Sequence, residues 1–278
     1  MKFILCAAVL AISASASAET LALHNGRLFI PAKIAGVSTE ALLDSGAEGT
    51  IVDPTFAKQA NLPKGEAIKI KGSGGEAPAR VIPGIAVEAL GISYEPEALV
   101  VTDLSEISSR LLEHPTHAII GRELFDASRL RIDIRNGSID PASPDQVPPG
   151  QRLDLAGHAG IEAIPVTVNG LAARAEFDLG NGSEVLISRA MAERLKLKVE
   201  GRKSGGGIGG EVQRDLVKLD SLQVAGVTFR DVTAAIDDQP SANDFNVGIS
   251  ILRNFLITTD FKGRAIWLEP VGAVPASQ

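Results

Sequence analysis

Two aspartates stand at equivalent places in two short segments, residues 42–47 (LLDSGA) and residues 176–181 (EFDLGN). Asp44 and Asp178 each end a mostly apolar run, where a carboxylate is costly unless a partner holds it. If the two carboxyl groups meet, they cannot both ionise at close range and must share one proton. Such a pair supplies a general base and a general acid at one point. The small-residue turns that follow the two aspartates are Ser45, Gly46, Ala47 and Leu179, Gly180, Asn181.

An internal duplication favours this pairing, because the two segments lie at the same place in two related halves. The offset between the halves is 134 residues at first, 135 in the middle and 127 near the end. The matched positions include Ile30 with Ile164, Gly36 with Gly170, Asp44 with Asp178, 73–76 with 208–211, and 120–121 with 247–248. This collinear series predicts two similar lobes related by a pseudo-two-fold axis, with equivalent residues facing each other across a cleft.

Each half has the pattern of a mainly β structure, in which short apolar strands are separated by glycine turns. Two hairpins with glycine-rich tips, 69–82 and 203–217, occupy equivalent places in the halves. The apolar stretch at 118–121 predicts a buried strand closed by a glycine. Short helices are expected in the first half at 54–60, 104–113 and 122–127.

The first residues have the pattern of a signal peptide. Lys2 precedes an apolar run at 3–12, and small residues at 14–18 fit a cleavage site before Glu19. The run is too short to span a bilayer, so we expect an exported protein in the periplasm or outside the cell. The predicted divisions are a signal peptide at 1–18, an N-terminal lobe at 19–140, a Pro-rich linker at 141–160 and a C-terminal lobe at 161–278.

The composition excludes several classes of function. The chain has 278 residues, 45% of them hydrophobic, and a net charge of −7. It contains no long basic run, so no nucleic-acid partner is expected. No apolar run of about 18 residues follows the signal peptide, so we expect no stable insertion into a membrane. The single cysteine, Cys6, lies within the signal peptide, which leaves the mature chain without a thiol nucleophile or a disulfide.

Two patterns suggest cofactor sites but fit other roles better. Residues 205–210 contain G-x-G-x-x-G, which would need a preceding parallel strand and a following helix to bind a dinucleotide. The segment instead occupies the hairpin position of the repeat. His114 and His117 have a spacing that could bind a metal, but no third ligand lies nearby in the sequence, so we interpret them as a surface pair. We therefore predict no cofactor and no metal.

The chain resembles the retropepsin-like aspartic proteases, in the bilobal form that carries two retropepsin-like halves in one polypeptide. The resemblance rests on Asp-Ser-Gly-Ala at 44–47, the glycine hairpin that follows it and Ile-Ile-Gly at 119–121, with a weaker second copy. It implies an all-β fold of two closed barrels, with Asp44 and Asp178 as the catalytic pair of the cleft. The implied flap tips, which cover the substrate, are Ser73, Gly74, Gly75 and Ile208, Gly209, Gly210.

The resemblance also implies a function, an endopeptidase that hydrolyses a peptide or protein substrate with a water activated by the two aspartates. Because a fused dimer completes its own site, we expect a monomer. The second half departs from the family pattern in three places, at Leu179 where a hydroxyl is usual, at Asn181 and at Asn246. These departures leave a second function open, a catalytically inactive protein that binds extended peptides in the same cleft.

Overall fold

The computed structural model describes residues 19–157, 161–239 and 243–272. The predicted signal peptide, residues 1–18, lies outside these ranges. No helix in the described ranges is long and apolar enough to cross a membrane.

The first half alternates short strands with three short helical segments. Its strands are β1 (Glu19–Thr20), β2 (Ala22–His24), β3 (Arg27–Ile34), β4 (Val37–Leu43), β5 (Ile51–Val52), β6 (Glu66–Gly72), β7 (Gly75–Ile82), β8 (Val87–Ala89), β9 (Ile92–Tyr94), β10 (Leu99–Val101), β11 (Ala118–Ile120), β12 (Leu130–Asp133) and β13 (Ser138–Pro141). Its helices are α1 (Pro54–Gln59), α2 (Ser105–Ile107), which continues into a π-helical turn at Ser108–Leu112, and α3 (Arg122–Ala127).

The second half repeats this order with fewer and longer strands. Its strands are β14 (Gln151–Asp154), β15 (Ala163–Val168), β16 (Leu171–Phe177), β17 (Val185–Ser188), β18 (Gly201–Gly207), β19 (Gly210–Val224), β20 (Val227–Asp237), β21 (Phe245–Val247), β22 (Phe255–Asp260) and β23 (Ala265–Pro270). Its helices are α4 (Arg189–Arg194) and α5 (Ile249–Leu252). The mainly β fold in two similar halves, which the sequence predicts, is confirmed.

The second half closes on itself as a barrel. Its strands follow the order β15-β16-β21-β17-β20-β19, and β19 pairs again with β15. The first half has the same order, β3-β4-β11-β5-β10-β7, and β3 pairs with β8. In the first half, the two strands β7 and β8 take the place of the single long strand β19 of the second half. They are separate because Pro83 lies between them and has no N–H to donate to a neighbouring strand.

A third sheet joins the two halves. It has six strands in the order β1-β13-β12-β22-β23-β14, so three strands of the first half lie beside three strands of the second. The central pairing is antiparallel between Leu130–Asp133 and Phe255–Asp260. The segment predicted as a Pro-rich linker, 141–160, contributes Gln151–Asp154, which pairs with β23. That segment therefore does more than connect the halves, since it supplies an edge strand of the sheet that holds them together.

The core is continuous between the halves, and a smaller cluster lies beneath the first-half side of the cleft. This smaller cluster consists of Phe29, Leu42, Ile51, Leu104, Ile107, Leu112 and Ile119. Four of its members come from strands that lead into or flank the turn at Asp44, and the other three come from the helical segment at 104–112, so their packing fixes the position of that turn.

Candidate active site

Parallel strand pairing fixes the position of each aspartate, which directly follows the end of a strand. β4 pairs with β11 in the first half, and the N–H of Asp44 donates to the carbonyl of Ile120 at 3.0 Å. The second half repeats this arrangement, since β16 pairs with β21 and the N–H of Asp178 donates to the carbonyl of Val247 at 3.1 Å. The apolar-apolar-Gly segments of the sequence thus serve as the strands that anchor the two turns.

The two turns meet face to face. A Cβ added to Gly46 would lie 2.8 Å from Oδ1 of Asp178, and one added to Gly180 would lie 2.2 Å from Cγ of Asp44. Only glycine leaves room for this approach. At this separation each carboxyl group affects the pKa of the other. The structure therefore brings together the two aspartates that the repeat predicts to face each other.

The hydrogen bonds to the two carboxyl groups are unequal. Oδ1 of Asp44 accepts from the N–H of Gly46 at 2.8 Å. Oδ1 of Asp178 accepts from the N–H groups of Gly180 at 2.9 Å and Asn181 at 3.1 Å. Oδ2 of Asp178 also accepts from the side-chain amide of Asn246 at 2.8 Å. Asp178 thus has a side-chain donor that Asp44 lacks.

This difference decides where the shared proton resides. Burial and the charge of Asp178 raise the pKa of Asp44 to about 7. Burial also raises the pKa of Asp178, but the hydrogen bonds from Asn246 and from the turn amides act in the opposite direction. The turn amides lower the pKa of Asp44 as well, so the donor that distinguishes the two groups is the amide of Asn246. This donor favours the ionised form of Asp178 over that of Asp44.

Ser45 connects the turns across the interface. Its hydroxyl donates to the carbonyl of Phe177 at 3.0 Å and accepts from the N–H of Leu179 at 2.9 Å. Leu179, in the equivalent position of the second half, has no hydroxyl, and its side chain is fully buried in the core. The cross-interface bonding is therefore made from one side only, and apolar packing occupies the other side.

The two other departures in the second half form one hydrogen-bonded unit. The side-chain amide of Asn181 donates to Oδ1 of Asn246 at 2.8 Å. This contact orients Asn246 so that its own amide donates to Asp178, and also to Glu176 at 3.3 Å. The sequence marks Asn181 and Asn246 only as departures from the family pattern. The structure shows that together they hold the carboxylate of Asp178.

The two glycine hairpins meet above the aspartates. The N–H of Gly74 donates to the carbonyl of Ile208 at 3.0 Å, so the tips touch each other directly. Arg110 of the π-helical turn adds a hydrogen bond to the carbonyl of Gly205 at 3.0 Å. The predicted tip residues Ser73, Gly74, Gly75 and Ile208, Gly209, Gly210 all lie at or beside this contact.

A cleft of about 550 Å³ lies between the aspartates and the hairpins. Of the predicted turn residues, Gly46, Ala47, Gly180 and Asn181 line it, whereas Ser45 and Leu179 are buried behind it. Among the predicted tip residues, Ser73 and Ile208 line it. The cleft is closed above by the touching tips, so a chain that enters must pass beneath them or part them.

Arg27 is a cleft residue that the sequence analysis missed. Its side chain is only 5% exposed and lines the cleft. The guanidinium donates to the carbonyl of Leu111 at 3.3 Å and to Ser183 of the other half at 3.4 Å. Burial lowers the pKa of Arg27, and the charges of Asp178 and Asp44 oppose that effect. Its sequence signal is a charged residue at the start of a mostly apolar strand, Arg27–Ile34.

One group in the described ranges has side chains close enough to suggest a metal site, and it lies outside the cleft lining. Atoms of His24, Glu40 and His114 that could bind a metal lie within 4.8 Å of one another. The two imidazole rings are stacked at 3.8 Å and nearly parallel, so their lone pairs do not converge on one point. His114 contacts Glu40 at 2.7 Å, whereas His117 contacts Asp53 at 2.7 Å. The predicted His114–His117 pair thus faces two different partners.

Comparison with known proteins agrees with this geometry. A family profile described as Aspartyl protease matches residues 30–124 and, separately, residues 164–252. The two matched regions contain the two turns, the two hairpins and the strands that anchor the turns. The double match agrees with the internal duplication and confirms the predicted resemblance. No curated protein matches the chain.

Proposed function

The chain belongs to the aspartyl protease family, and we propose that it is an exported endopeptidase that hydrolyses peptide bonds with a water activated by Asp44 and Asp178. The observation that carries the proposal is the meeting of two partly buried carboxyl groups, unequally hydrogen bonded, in a cleft beneath two hairpin tips. Export rests on the signal-peptide pattern of residues 1–18.

The inequality of the two carboxyl groups assigns their roles. Asp178, held ionised by Asn246, removes a proton from a water as the water oxygen attacks the scissile carbonyl carbon. Asp44, which holds the shared proton, hydrogen bonds to the carbonyl oxygen and gives it that proton as negative charge develops there. The proton gained by Asp178 then goes to the leaving nitrogen as the C–N bond breaks, and one hydroxyl of the tetrahedral intermediate returns its proton to Asp44. One product retains the carboxyl group and the other the amine, and the pair returns to its singly protonated state.

The neighbours of the pair exclude water and hold the substrate. The hairpin tips cover the cleft, and their exposed backbone groups can pair with an extended peptide as a neighbouring strand does. Parting of the touching tips would admit a peptide, and their closure over it would displace solvent from the carboxyl groups.

The test is replacement of each aspartate by asparagine. We expect Asp44→Asn and Asp178→Asn to lower kcat/KM on a denatured protein by at least about 10³-fold, because each removes one proton-transfer partner. Asp145→Asn, at an exposed position, is the control and should cleave like the parent. Circular dichroism must show that both variants fold. If folded Asp178→Asn cleaved as fast as the parent, the assignment of the pair would be wrong.

The pH dependence provides a second test. The active species needs Asp44 protonated, and the pKa of Asp44 is raised to about 7. The rate should therefore be greatest on the acid side of this value and should fall as pH rises through it. A rate that rose steadily from about pH 5 to about pH 9 would contradict the mechanism.

Leu179 favours a second candidate, a catalytically inactive protein that binds extended peptides in the same cleft. Its buried side chain offers no hydroxyl to the opposite turn, so of these two equivalent residues only Ser45 has a side chain that bonds to the opposite turn. Under this candidate, peptides bind to the parent protein and to Asp178→Asn with similar affinity, and neither protein cleaves them. Cleavage by the parent alone would exclude it.

A further inference from the structure

Arg27 lies beside the two aspartates because of the strand register in the first half. β3 pairs with β4 in an antiparallel ladder whose last pair is Phe29 with Leu42. Continuing this register by two residues places Arg27 opposite Asp44, and on the same face of the sheet, since side chains alternate between the faces with a period of two. Both residues line the cleft. The first half therefore presents a cation next to one member of the pair.

The second half fixes the other side of Arg27. A Cβ added to Gly182 would lie 2.7 Å from Cγ of Arg27, so the arginine packs closely on the chain that follows the second-half turn. The hydroxyl of Ser183 accepts from Nη2 at 3.4 Å. Nη1 donates to the carbonyl of Asn25 at 3.1 Å and to that of Leu111 at 3.3 Å. Contacts from both halves thus hold the guanidinium at one place in the cleft wall.

The hydrogen-bond partners of the guanidinium are all neutral groups. They are two carbonyls and a hydroxyl, and no carboxylate of the described residues forms an ion pair with Arg27. A buried cation is costly unless an opposite charge lies near it. The favourable charges that act on Arg27 most strongly are those of Asp178 and Asp44. The negative charge that stabilises Arg27 is therefore the single charge of the aspartate pair.

Most other charges in or near the cleft lining are neutralised or screened. The ion pairs are Arg110 with Glu106, Lys203 with Glu184 and Arg214 with Asp237. Each of these pairs has no net charge, so its field at the aspartates is weak. Lys71 and Glu48 line the cleft at exposed positions, where water and salt screen their charges.

Glu176 is a further cleft-lining carboxylate, and its charge has the same sign as that of the pair. It accepts from the amide of Asn246 at 3.3 Å. A negative charge disfavours the ionisation of a nearby carboxyl group, so Glu176 acts in the direction opposite to Arg27. Among the described residues that line the cleft, Arg27 is thus the buried cation whose opposite charge is the pair itself.

The second half has no equivalent cation. In the ladder of β15 with β16, Ala163 pairs with Glu176, and the same register continued by two residues places Ile161 opposite Asp178. Ile161 also lines the cleft. The repeat therefore accepts an apolar side chain at this position, and the positive charge beside the pair comes from the first half alone.

We propose that Arg27 acts through the two aspartates, as the fixed positive charge that keeps one of them ionised at acid pH. It is a positioning residue, because it acts on the pair and not on the reacting atoms. A cation beside the pair favours the loss of its first proton and of its second proton alike. Removal of the charge should therefore move the whole active pH range upward. The proposal rests on the proposed function in that the pair is the catalytic one.

The test replaces Arg27 by neutral and by charged side chains. Arg27→Gln and Arg27→Met remove the charge with a polar and an apolar side chain, and circular dichroism selects the variants that fold. Arg27→Lys keeps the charge but cannot reproduce the hydrogen bonds of the guanidinium to three partners. Arg230→Gln removes an arginine charge from an exposed position outside the cleft lining and is the matched control. The readout is kcat/KM on a denatured protein from about pH 2 to about pH 9.

We expect both limbs of the kcat/KM profile to move upward by about one pH unit in the neutral variants. These variants should lose activity at the acid end and gain it, relative to the parent, above about pH 7. A merely structural role of Arg27 would lower kcat/KM at every pH and leave both limbs in place. Arg27→Lys and Arg230→Gln should keep the limbs of the parent to within about half a unit. Unmoved limbs in a folded neutral variant, or limbs that move equally in Arg27→Lys, would overturn the proposal.

NMR titration of ¹³C-labelled aspartate carboxyl groups separates this proposal from the proposed catalytic function. It follows the pair without requiring turnover, in the parent and in the same variants. If the parent cleaves nothing but the pair titrates at higher pH in the neutral variants, the endopeptidase assignment fails and the role of Arg27 stands. If the parent cleaves but the pair titrates alike in the parent and in the neutral variants, the role of Arg27 fails and the endopeptidase assignment stands.

Discussion

Replacement of Asn246 by leucine tests how the shared proton is placed. The amide of Asn246 donates to Oδ2 of Asp178 at 2.8 Å, and Asp44 has no equivalent side-chain donor. The first half has Ile119 at this position, so Asn246→Leu makes the two halves alike. A hydrogen bond to an ionised group contributes about 1.5–3 kcal/mol. At 1.36 kcal/mol per pKa unit, its loss should raise the pKa of Asp178 by about 1–2 units.

The effect should appear on the acid side of the pH profile. Activity begins when the pair loses its first proton, and the amide of Asn246 lowers the pKa that governs this step. In Asn246→Leu the acid limb of kcat/KM should therefore move upward by about 1–2 units. The limb near pH 7, which reports loss of the proton from Asp44, should move much less. The pH range in which the enzyme is active therefore becomes narrower on its acid side only.

Two measurements and one control make this result decisive. The kcat/KM profile is recorded from about pH 2 to about pH 8, and NMR of ¹³C-labelled aspartate carboxyl groups follows the pair without requiring turnover. Ile119→Leu, at the equivalent position of the first half, controls for a change of side-chain shape alone. If the lower apparent pKa of the pair moved by less than about half a unit in folded Asn246→Leu, Asn246 would not be the group that places the proton.

Two further predictions concern stability. Ser45→Ala removes the hydroxyl that bonds to Phe177 and Leu179 and leaves two buried backbone groups without that partner. We expect urea unfolding to show a free energy of unfolding lower by about 2–4 kcal/mol. A decrease below about 0.5 kcal/mol would contradict the bridging role of Ser45. Asp44 has a folded-state pKa raised from 3.8 to about 7. Its contribution to stability is therefore fully present below the lower value and is lost as pH rises through the higher one. The asparagine of Asp44→Asn cannot ionise, so the free energy of unfolding of this variant should increase relative to the parent by a few kcal/mol between about pH 4 and about pH 8. A constant difference in the free energy of unfolding across that range would refute the raised pKa of Asp44.

The sequence predicts the position of the site because the duplication is collinear. Asp44 and Asp178 could be paired, and the two glycine hairpins placed above them, since each pattern is local and occurs twice. The sequence does not predict the bonding between Asn181 and Asn246, because no local pattern links residues that far apart. Only the parallel pairing of β16 with β21 shows that the two departures form one support for Asp178.

Two features of the fold depend on contacts that local patterns do not contain. Residues 151–154 (QRLD) lack the alternation of a strand, and they become one because β23 offers them an open edge. The predicted helix at 104–113 forms as a short α-helix that widens into a π-helical turn. Arg110 of this turn reaches the opposite hairpin at Gly205, a contact that the local periodicity of the segment does not reveal.

The sheet that joins the halves has a consequence for the order in which the molecule can be completed. Leu130–Asp133 pairs with Phe255–Asp260, which the ribosome makes more than 120 residues later. The first half can form its own sheet early, but one edge of Leu130–Asp133 stays open until synthesis is almost finished. During that interval the edge can pair with strands of other chains. The point of greatest exposure to aggregation is therefore the open edge of Leu130–Asp133, which waits for the strand that is made last, and not the catalytic cleft.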